Sequence, residues 1–232
     1  MNYQALKQRV LDANTKIVEY NLVTLTWGNV SEIDRENGVV AIKPSGVDYE
    51  KMSVDDIVIV DLDGNIVEGN LNPSSDLPTH LYIYTMHDAI KSVVHTHSLY
   101  ATSFAQAGKG LDVYGTTHSD HFYGHVPCTR IMSDEEIKTD YEYNTGVVIG
   151  ETFKTRAIDP SKVQACLVNN HGPFAWGKSC DEAVENALVL EVVSQMNTQS
   201  IMINPHLNPI KQSLLDKHYL RKHGKDAYYG QK

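Results

Sequence analysis

Two short apolar runs that each end in imidazole constrain this chain more than any other feature. The first, Ala89-Ile90-Lys91-Ser92-Val93-Val94, leads straight into His95-Thr96-His97. In an extended strand, side chains two apart leave the same face, so both imidazoles point into one pocket at the strand's end. The second, Val163 to Val168, ends in Asn169-Asn170-His171-Gly172 and supplies a third imidazole at the mouth of another strand. A His-x-His pair alone is more often a hydrogen-bonded surface or core pair than a metal site. The third histidine tips that balance, because of the eleven in the chain only these three end strongly apolar, β-branched runs. Three nitrogen donors with an open position describe a catalytic divalent-metal site, most often zinc, whereas a structural site is closed by four ligands and usually by cysteine.

The pattern around these runs is mixed. Val39 to Ile42 follows the Glu36-Asn37-Gly38 turn, and Ile57 to Val60 and Ile66-Val67 flank Asp63-Gly64, a hairpin signal. Leu22 to Ile33 reads as strand, tight turn and strand, broken at Gly28-Asn29. The first third is thus predicted to be mainly antiparallel sheet. Leu6, Val10, Ala13/Asn14 and Ile17 trace one stripe of an opening helix within residues 1–18, and Pro78 to His87 predicts another. Ser98 can cap a helix reaching Gly108, and Ser133 with Glu136 makes a capping box for the segment through Tyr141 and Glu142. Ser179 or Asp181 opens the clearest helix, striped by Ala183, Val184, Ala187 and Leu188, and the last runs from about Pro209 to a stop at Gly224. Beyond it, Tyr228-Tyr229 is an odd choice for a frayed end and suggests a tail that docks. Such an order gives an α/β or α+β domain with helices covering a sheet. With no proline- or glycine-rich linker in 232 residues, one domain spanning 1–232 is expected.

Charge and cysteine usage narrow the function. A net charge of −9 argues against a nucleic-acid partner, whose affinity would come from clustered Lys and Arg. Cys128, Cys166 and Cys180 are widely spaced with no C-x-x-C pair, which fits a reducing cytoplasm, and no stretch reaches the length of a membrane span. Three clusters place glycine or an acidic residue beside hydroxyl or amide side chains: Thr26 to Ser31, Lys43 to Gly46, and Pro73 to Asp76. Together they suit a small phosphate, held by free backbone N–H groups and a helix amino end, although singly each reads equally well as an ordinary turn or cap. None has the P-loop spacing. A fourth cluster, Thr116 to His125, reads as a polar loop carrying a general acid or base, with Asp120 the first candidate.

Taken together, the segments TWGNVS, KPSGVDY, PSSDLPTH, VVHTHS, GTTHSDHFYG, PCTR, NNHGPFAWG and LLDKHYLRKHGKDAYYGQ resemble the L-ribulose-5-phosphate 4-epimerase family of the class II, metal-dependent aldolase/adducin-like group. The resemblance runs from the first helix to the final tyrosines. It implies a three-layer α/β/α sandwich with a mainly antiparallel central sheet, and a cytoplasmic homotetramer with active sites between neighbouring subunits. It implies that His95, His97 and His171 bind the metal, with Asp76 beside it and counted with the ligands; zinc is the first expectation, manganese or cobalt the others. By the same resemblance, Gly28, Asn29, Lys43, Ser45, Gly46, Ser74 and Ser75 contact the substrate and its phosphate. His218 and Arg221 hold further active-site positions, and Asp120 and Tyr229 form the acid/base pair contributed by the adjacent subunit.

The implied reaction explains these residue types. C4 of a ketopentose phosphate is not next to the C2 carbonyl, so its hydrogen is not acidic and inversion there requires the C3–C4 bond to break and re-form. A retro-aldol step gives glycolaldehyde phosphate and the dihydroxyacetone enediolate, whose charge a divalent Lewis acid stabilises, while one group takes the C4 hydroxyl proton and another returns it. Such an epimerase serves L-arabinose or L-ascorbate breakdown. The alternatives on the same scaffold are an aldolase of L-fuculose or L-rhamnulose 1-phosphate, and a non-catalytic adducin-like interaction module.

Overall fold

Seven strands and eight α-helices make up the computed structural model, which describes residues 3–230; the ends of the 1–232 span, positions 1–2 and 231–232, lie outside the described residues. In chain order these are α1 (Gln4–Glu19), β1 (Asn29–Asp34), β2 (Val39–Ile42), β3 (Val58–Asp61), β4 (Ile66–Glu68), α2 (Leu77–Met86) and β5 (Ser92–His95). There follow α3 (Leu99–Gln106), α4 (Thr116–Ser119), α5 (Asp134–Lys138), α6 (Tyr141–Thr155), β6 (Ala165–Leu167), β7 (Pro173–Gly177), α7 (Cys180–Ile203) and α8 (Gln212–His223). All strand pairs are antiparallel, in the order β4-β3-β2-β1-β5-β7-β6.

The sheet lies between two helical layers. α1, α3 and α7 pack on one face, and α2 pairs with α6 over the other. Strands β2, β5, β6 and β7 are therefore buried throughout, which is why their sequences read as continuous apolar runs instead of alternating ones. Buried polar groups tie the layers. Asn14 of α1 accepts from the Val30 N–H at 3.0 Å and donates back to the Val10 and Val30 carbonyls, so a helix-interior asparagine is fully used. Glu32 of β1 receives Arg9 of α1 through a bidentate pair at 2.7–3.0 Å.

Most predicted elements are present: the hairpin around Asp63-Gly64, the Ser133/Glu136 capping box, and Ser179 accepting from the Glu182 N–H at the start of α7. Three expectations need correction, and one strand lies where none was predicted. Residues 22–28 are not a strand but an irregular loop, with Leu25 and Gly28 at φ of 55° and 112°, outside any strand conformation. The capping box opens only the five-residue α5, after which Asp140 starts a separate α6. The last helix begins at Gln212 because the Ile210 N–H donates to the Val113 carbonyl at 2.8 Å, holding the Pro209 segment against its neighbour. Finally, Pro173–Gly177 is a strand that its opening proline conceals; proline is tolerated there as the first strand residue.

Candidate active site

Central strand β5 ends at His95, His97 follows two residues later, and His171 sits in the turn between β6 and β7, the strand pair beside it. One donor atom from each lies within 4.8 Å of the other two. The His95 Nδ1–H donates to the Pro173 carbonyl at 3.0 Å, so its Nε2 carries a lone pair. That Nε2 faces the His97 Nε2 at 3.2 Å. His171 Nδ1 lies 3.3 Å from the Tyr141 hydroxyl, and Phe174 stacks under His95 at 4.2 Å between ring centres. Burial, then the proximity of His95 and His97, pushes His171 down to about 3; burial and His95 likewise lower His97. Both are thus neutral at physiological pH, the form that ligates a metal. Convergent neutral nitrogens, one oriented from behind by a carbonyl, fit a divalent cation.

Glycine lets the segments approach this closely. A Cβ on Gly28 would lie 2.8 Å from both the His95 carbonyl oxygen and Val23 Cγ1, and one on Gly172 would lie 2.9 Å from the Thr96 oxygen.

The imidazoles form one end of a cavity of about 560 Å³ whose walls also include Gly28, Asn29, Lys43, Ser45, Gly46, Ser74, Ser75 and Asp76. Two turns build the far end. The Ser45 N–H donates to the Asn72 carbonyl at 2.9 Å and the Ser74 N–H to the Lys43 carbonyl at 3.0 Å, pinning residues 43–46 against 72–76. Lys43 is buried, its ammonium donating to the Pro44 and Val47 carbonyls at 3.2 and 2.9 Å and lying 4.8 Å over the Tyr49 ring. Burial lowers its pKa, partly opposed by Asp48. Asp76 occupies the N-cap position of α2, where Asn29 Nδ2 donates to its Oδ2 at 2.7 Å and to Ser74 Oγ at 3.0 Å. Burial would raise the Asp76 pKa, but His95, His80 and the Asn29 hydrogen bond outweigh it and hold the carboxyl below its ordinary value. Asp76 is a wall of the cavity and does not join the mutually close set of three nitrogens.

The remaining site candidates gather elsewhere on the chain. Asp120, at the end of α4, accepts from Arg221 at 2.8–3.2 Å and pairs with His218 Nδ1 at 3.0 Å, both from α8. Burial opposes the ionised form, yet the Arg221 and His218 bonds hold the Asp120 carboxyl below its ordinary value. Tyr229 docks on the same helix: its N–H and that of Tyr228 donate to the Arg221 carbonyl, and its ring lies under Arg221 and Lys222. The tail therefore packs, as its two tyrosines suggest. Asp120, His218, Arg221 and Tyr229 line none of the triad's cavity. The polar loop expected at 116–125 begins as the helical turn α4.

Sequence reasoning passed over four contributors. Trp27, half exposed, lines the cavity 6.3 Å from the His97 ring, and Tyr49 donates to the Gly28 carbonyl at 2.7 Å. Tyr141 backs His171, and Glu191 of α7 accepts the first N–H groups of α3, Tyr100 and Ala101, at 2.8 and 2.9 Å. Ser98 occupies the N-cap position of α3 without a capping hydrogen bond from its side chain. Trp27, inside TWGNVS, and Tyr49, inside KPSGVDY, carried a local signal; Tyr141 and Glu191 act across long sequence separations.

The chain matches the family described as Class II Aldolase and Adducin N-terminal domain over residues 8–198. It is 55% identical over 229 residues to L-ribulose-5-phosphate 4-epimerases (UlaF) of Salmonella typhi and Salmonella paratyphi B, covering 99% of this chain and 100% of each relative. A solved L-fuculose 1-phosphate aldolase superposes with a TM-score of 0.79 at 25% identity, covering 94% of this chain and 96% of that one. The L-fuculose 1-phosphate aldolase of Glaciozyma antarctica PI12 has the same fold, with a TM-score of 0.76 at 19% identity over 97% of this chain and 84% of that one.

Proposed function

Because the chain belongs to the class II aldolase and adducin N-terminal domain family, we propose that it is a divalent-metal-dependent epimerase interconverting L-ribulose 5-phosphate and D-xylulose 5-phosphate. The observation that carries this reading is a single cavity with two chemically different ends, three convergent imidazoles at one and a hydroxyl, amide and ammonium cradle at the other.

Each end has its task. Ser45, Ser74, Ser75 and the backbone at Gly28, Asn29 and Gly46 receive the phosphate, with the Lys43 ammonium behind them offsetting its charge. His95, His97 and His171 hold the cation, and Asp76 borders it. When bound, a divalent ion supplies a Lewis acid for the negative charge that develops as the C3–C4 bond breaks. The grip on the phosphate keeps the aldehyde fragment in place while it presents its other face. Asp120, already ionised, is the acceptor for the C4 hydroxyl proton and the Tyr229 phenol the donor that restores it in one direction, with their roles exchanged in the other.

Asp120 and Tyr229 reach the cavity from an adjacent subunit of a homotetramer. Support comes from their separation from the triad's cavity and from exposed apolar side chains such as Leu99, Met202 and Ile203, 71–85% exposed in the single chain. Among the described residues no helix is long and apolar enough to cross a membrane. Three free, buried cysteines support a cytoplasmic setting. Zinc is the preferred ion for a three-nitrogen set, with manganese and cobalt as the other occupants.

The test is to incubate the pure protein with L-ribulose 5-phosphate and zinc(II) or manganese(II). Appearance of D-xylulose 5-phosphate is expected; its absence overturns the reading. Stoichiometric release of glycolaldehyde phosphate would instead mark an aldolase.

A further inference from the structure

His80 lies one turn after Asp76 on α2, its backbone N–H donating to the Asp76 carbonyl at 3.1 Å. Its ring is wholly buried, edge-on to Phe174 at 6.0 Å, the same phenyl that stacks under His95. His80 Nδ1 is 2.7 Å from Ser31 Oγ, which is in turn 2.7 Å from the buried Tyr84 hydroxyl. The reaction described above uses none of these three groups. A buried polar chain of this kind is costly unless each proton has an acceptor.

Two hydroxyl protons and one ring proton share two contacts, so one proton must leave the chain at its Tyr84 or its Nε2 end. Among the described residues the Tyr84 hydroxyl meets no acceptor besides Ser31, whereas the acceptors of Asn29 and Asp76 stand in the rows that carry Ser31 and His80; Tyr84 therefore donates to Ser31, Ser31 to His80 Nδ1, and the ring proton sits on Nε2. His80 Nε2 is thus a buried donor, and it has no hydrogen-bond partner among the described residues. Asn29 commits its amide nitrogen to Ser74 and Asp76, which leaves its Oδ1 a buried acceptor, also unpaired. Asn29 and Ser31, two apart on β1, leave one face of the sheet, and Asp76 and His80, four apart, share one face of α2. The unpaired donor and the unpaired acceptor therefore belong to two facing rows.

We propose that His80 is a positioning residue of the metal pocket: its Nε2–H, fixed as the donor by Tyr84 and Ser31, holds Asn29 Oδ1 and the Asp76 carboxylate through one enclosed water. It thereby sets the face that Asp76 turns toward the three imidazoles. A polar site with three such partners is what a buried water requires. The inference rests on the metal site proposed above and is independent of which sugar is bound.

Nitrogen NMR of protein carrying 15N-labelled histidine, without and with zinc(II), tests the tautomer directly. A protonated Nε2 and bare Nδ1 at His80 are expected in both states; a proton on Nδ1 overturns the proposal. Zinc(II) affinity, measured by competition with a chelating dye, is expected to fall about 10- to 100-fold in His80→Leu and to recover to within about 3-fold in His80→Gln, whose amide accepts from Ser31 and donates onward. Wild-type affinity in His80→Leu, or a His80→Gln as weak as the leucine variant, overturns it. Should His80→Leu fail to fold, Ser31→Ala replaces it: mixed tautomers and weaker zinc binding are expected, and a pure Nε2–H ring with unchanged affinity overturns it. Wild-type protein that shows the expected tautomer and binds zinc but leaves L-ribulose 5-phosphate unconverted would refute the proposed reaction and not the role of His80.

Discussion

Removing the His171 imidazole takes away one of three donors that lie within 4.8 Å of one another, and the remaining pair cannot close a cation site. His171→Ala is expected to lose bound metal by elemental analysis and at least about 100-fold in turnover, with the fold kept as judged by far-UV circular dichroism. Other histidines govern acid stability. Burial depresses His80 to about 3 and His118 to about 4, so between those values and about 6.5, the ordinary imidazole pKa, the unfolded chain binds protons that the folded one refuses. Their contribution is fully present above pH 6.5 and is lost as pH falls toward 4 and 3. Urea midpoints of the metal-free protein should therefore drop between pH 7 and 5, and His118→Gln should flatten that slope; an unchanged slope would exclude His118 as a source. At this scale the imidazole triad was legible, because each member closes an apolar run. His80 was not, since its meaning lies in Ser31 and Tyr84, 49 and 4 residues away.

Helix α3 starts just after the His95–His97 segment, and its Tyr100 and Ala101 N–H groups donate to a carboxylate from α7. A helix whose start is capped from a neighbouring element transmits that neighbour's position to whatever precedes it, here His97-Ser98. Glu191→Ala is expected to lower stability by about 1–2 kcal/mol in urea denaturation. A change within experimental error would show that Ser98 or solvent takes over the cap. Sequence pattern found the elements whose signal is local, such as the Asp63-Gly64 hairpin and the Ser133/Glu136 box. It misread those decided by distant contacts. Residues 22–28 have strand composition, but the backbone there must swing past the His95 carbonyl, which only the Gly28 conformation allows. Pro209 looks like a helix start, yet the Ile210–Val113 hydrogen bond delays the helix to Gln212.

Across the whole molecule, the two halves of the proposed catalytic set occupy separate surfaces of one chain, which predicts complementation between inactive variants. His97→Ala and Tyr229→Phe should each be nearly inactive alone, the second with normal metal content. Co-expressed in mixed assemblies, they should recover about one quarter of wild-type activity, the share of random interfaces that pair two intact halves. No recovery in verified mixed tetramers would place both halves within one subunit. The three-layer architecture and antiparallel sheet were foreseen through the resemblance of many short segments, not through any one of them, and the placement of Asp120 beside Arg221 emerges only in three dimensions. One arrangement bears on ancestry. In the proposed site the imidazoles assigned to the cation stand at strand ends locked into the middle of the sheet, whereas the groups assigned to the anion lie on the turns at 43–46 and 72–76. Descendants of such a scaffold can rewrite their turns, and so exchange one nutrient for another, while inheriting the electron sink intact.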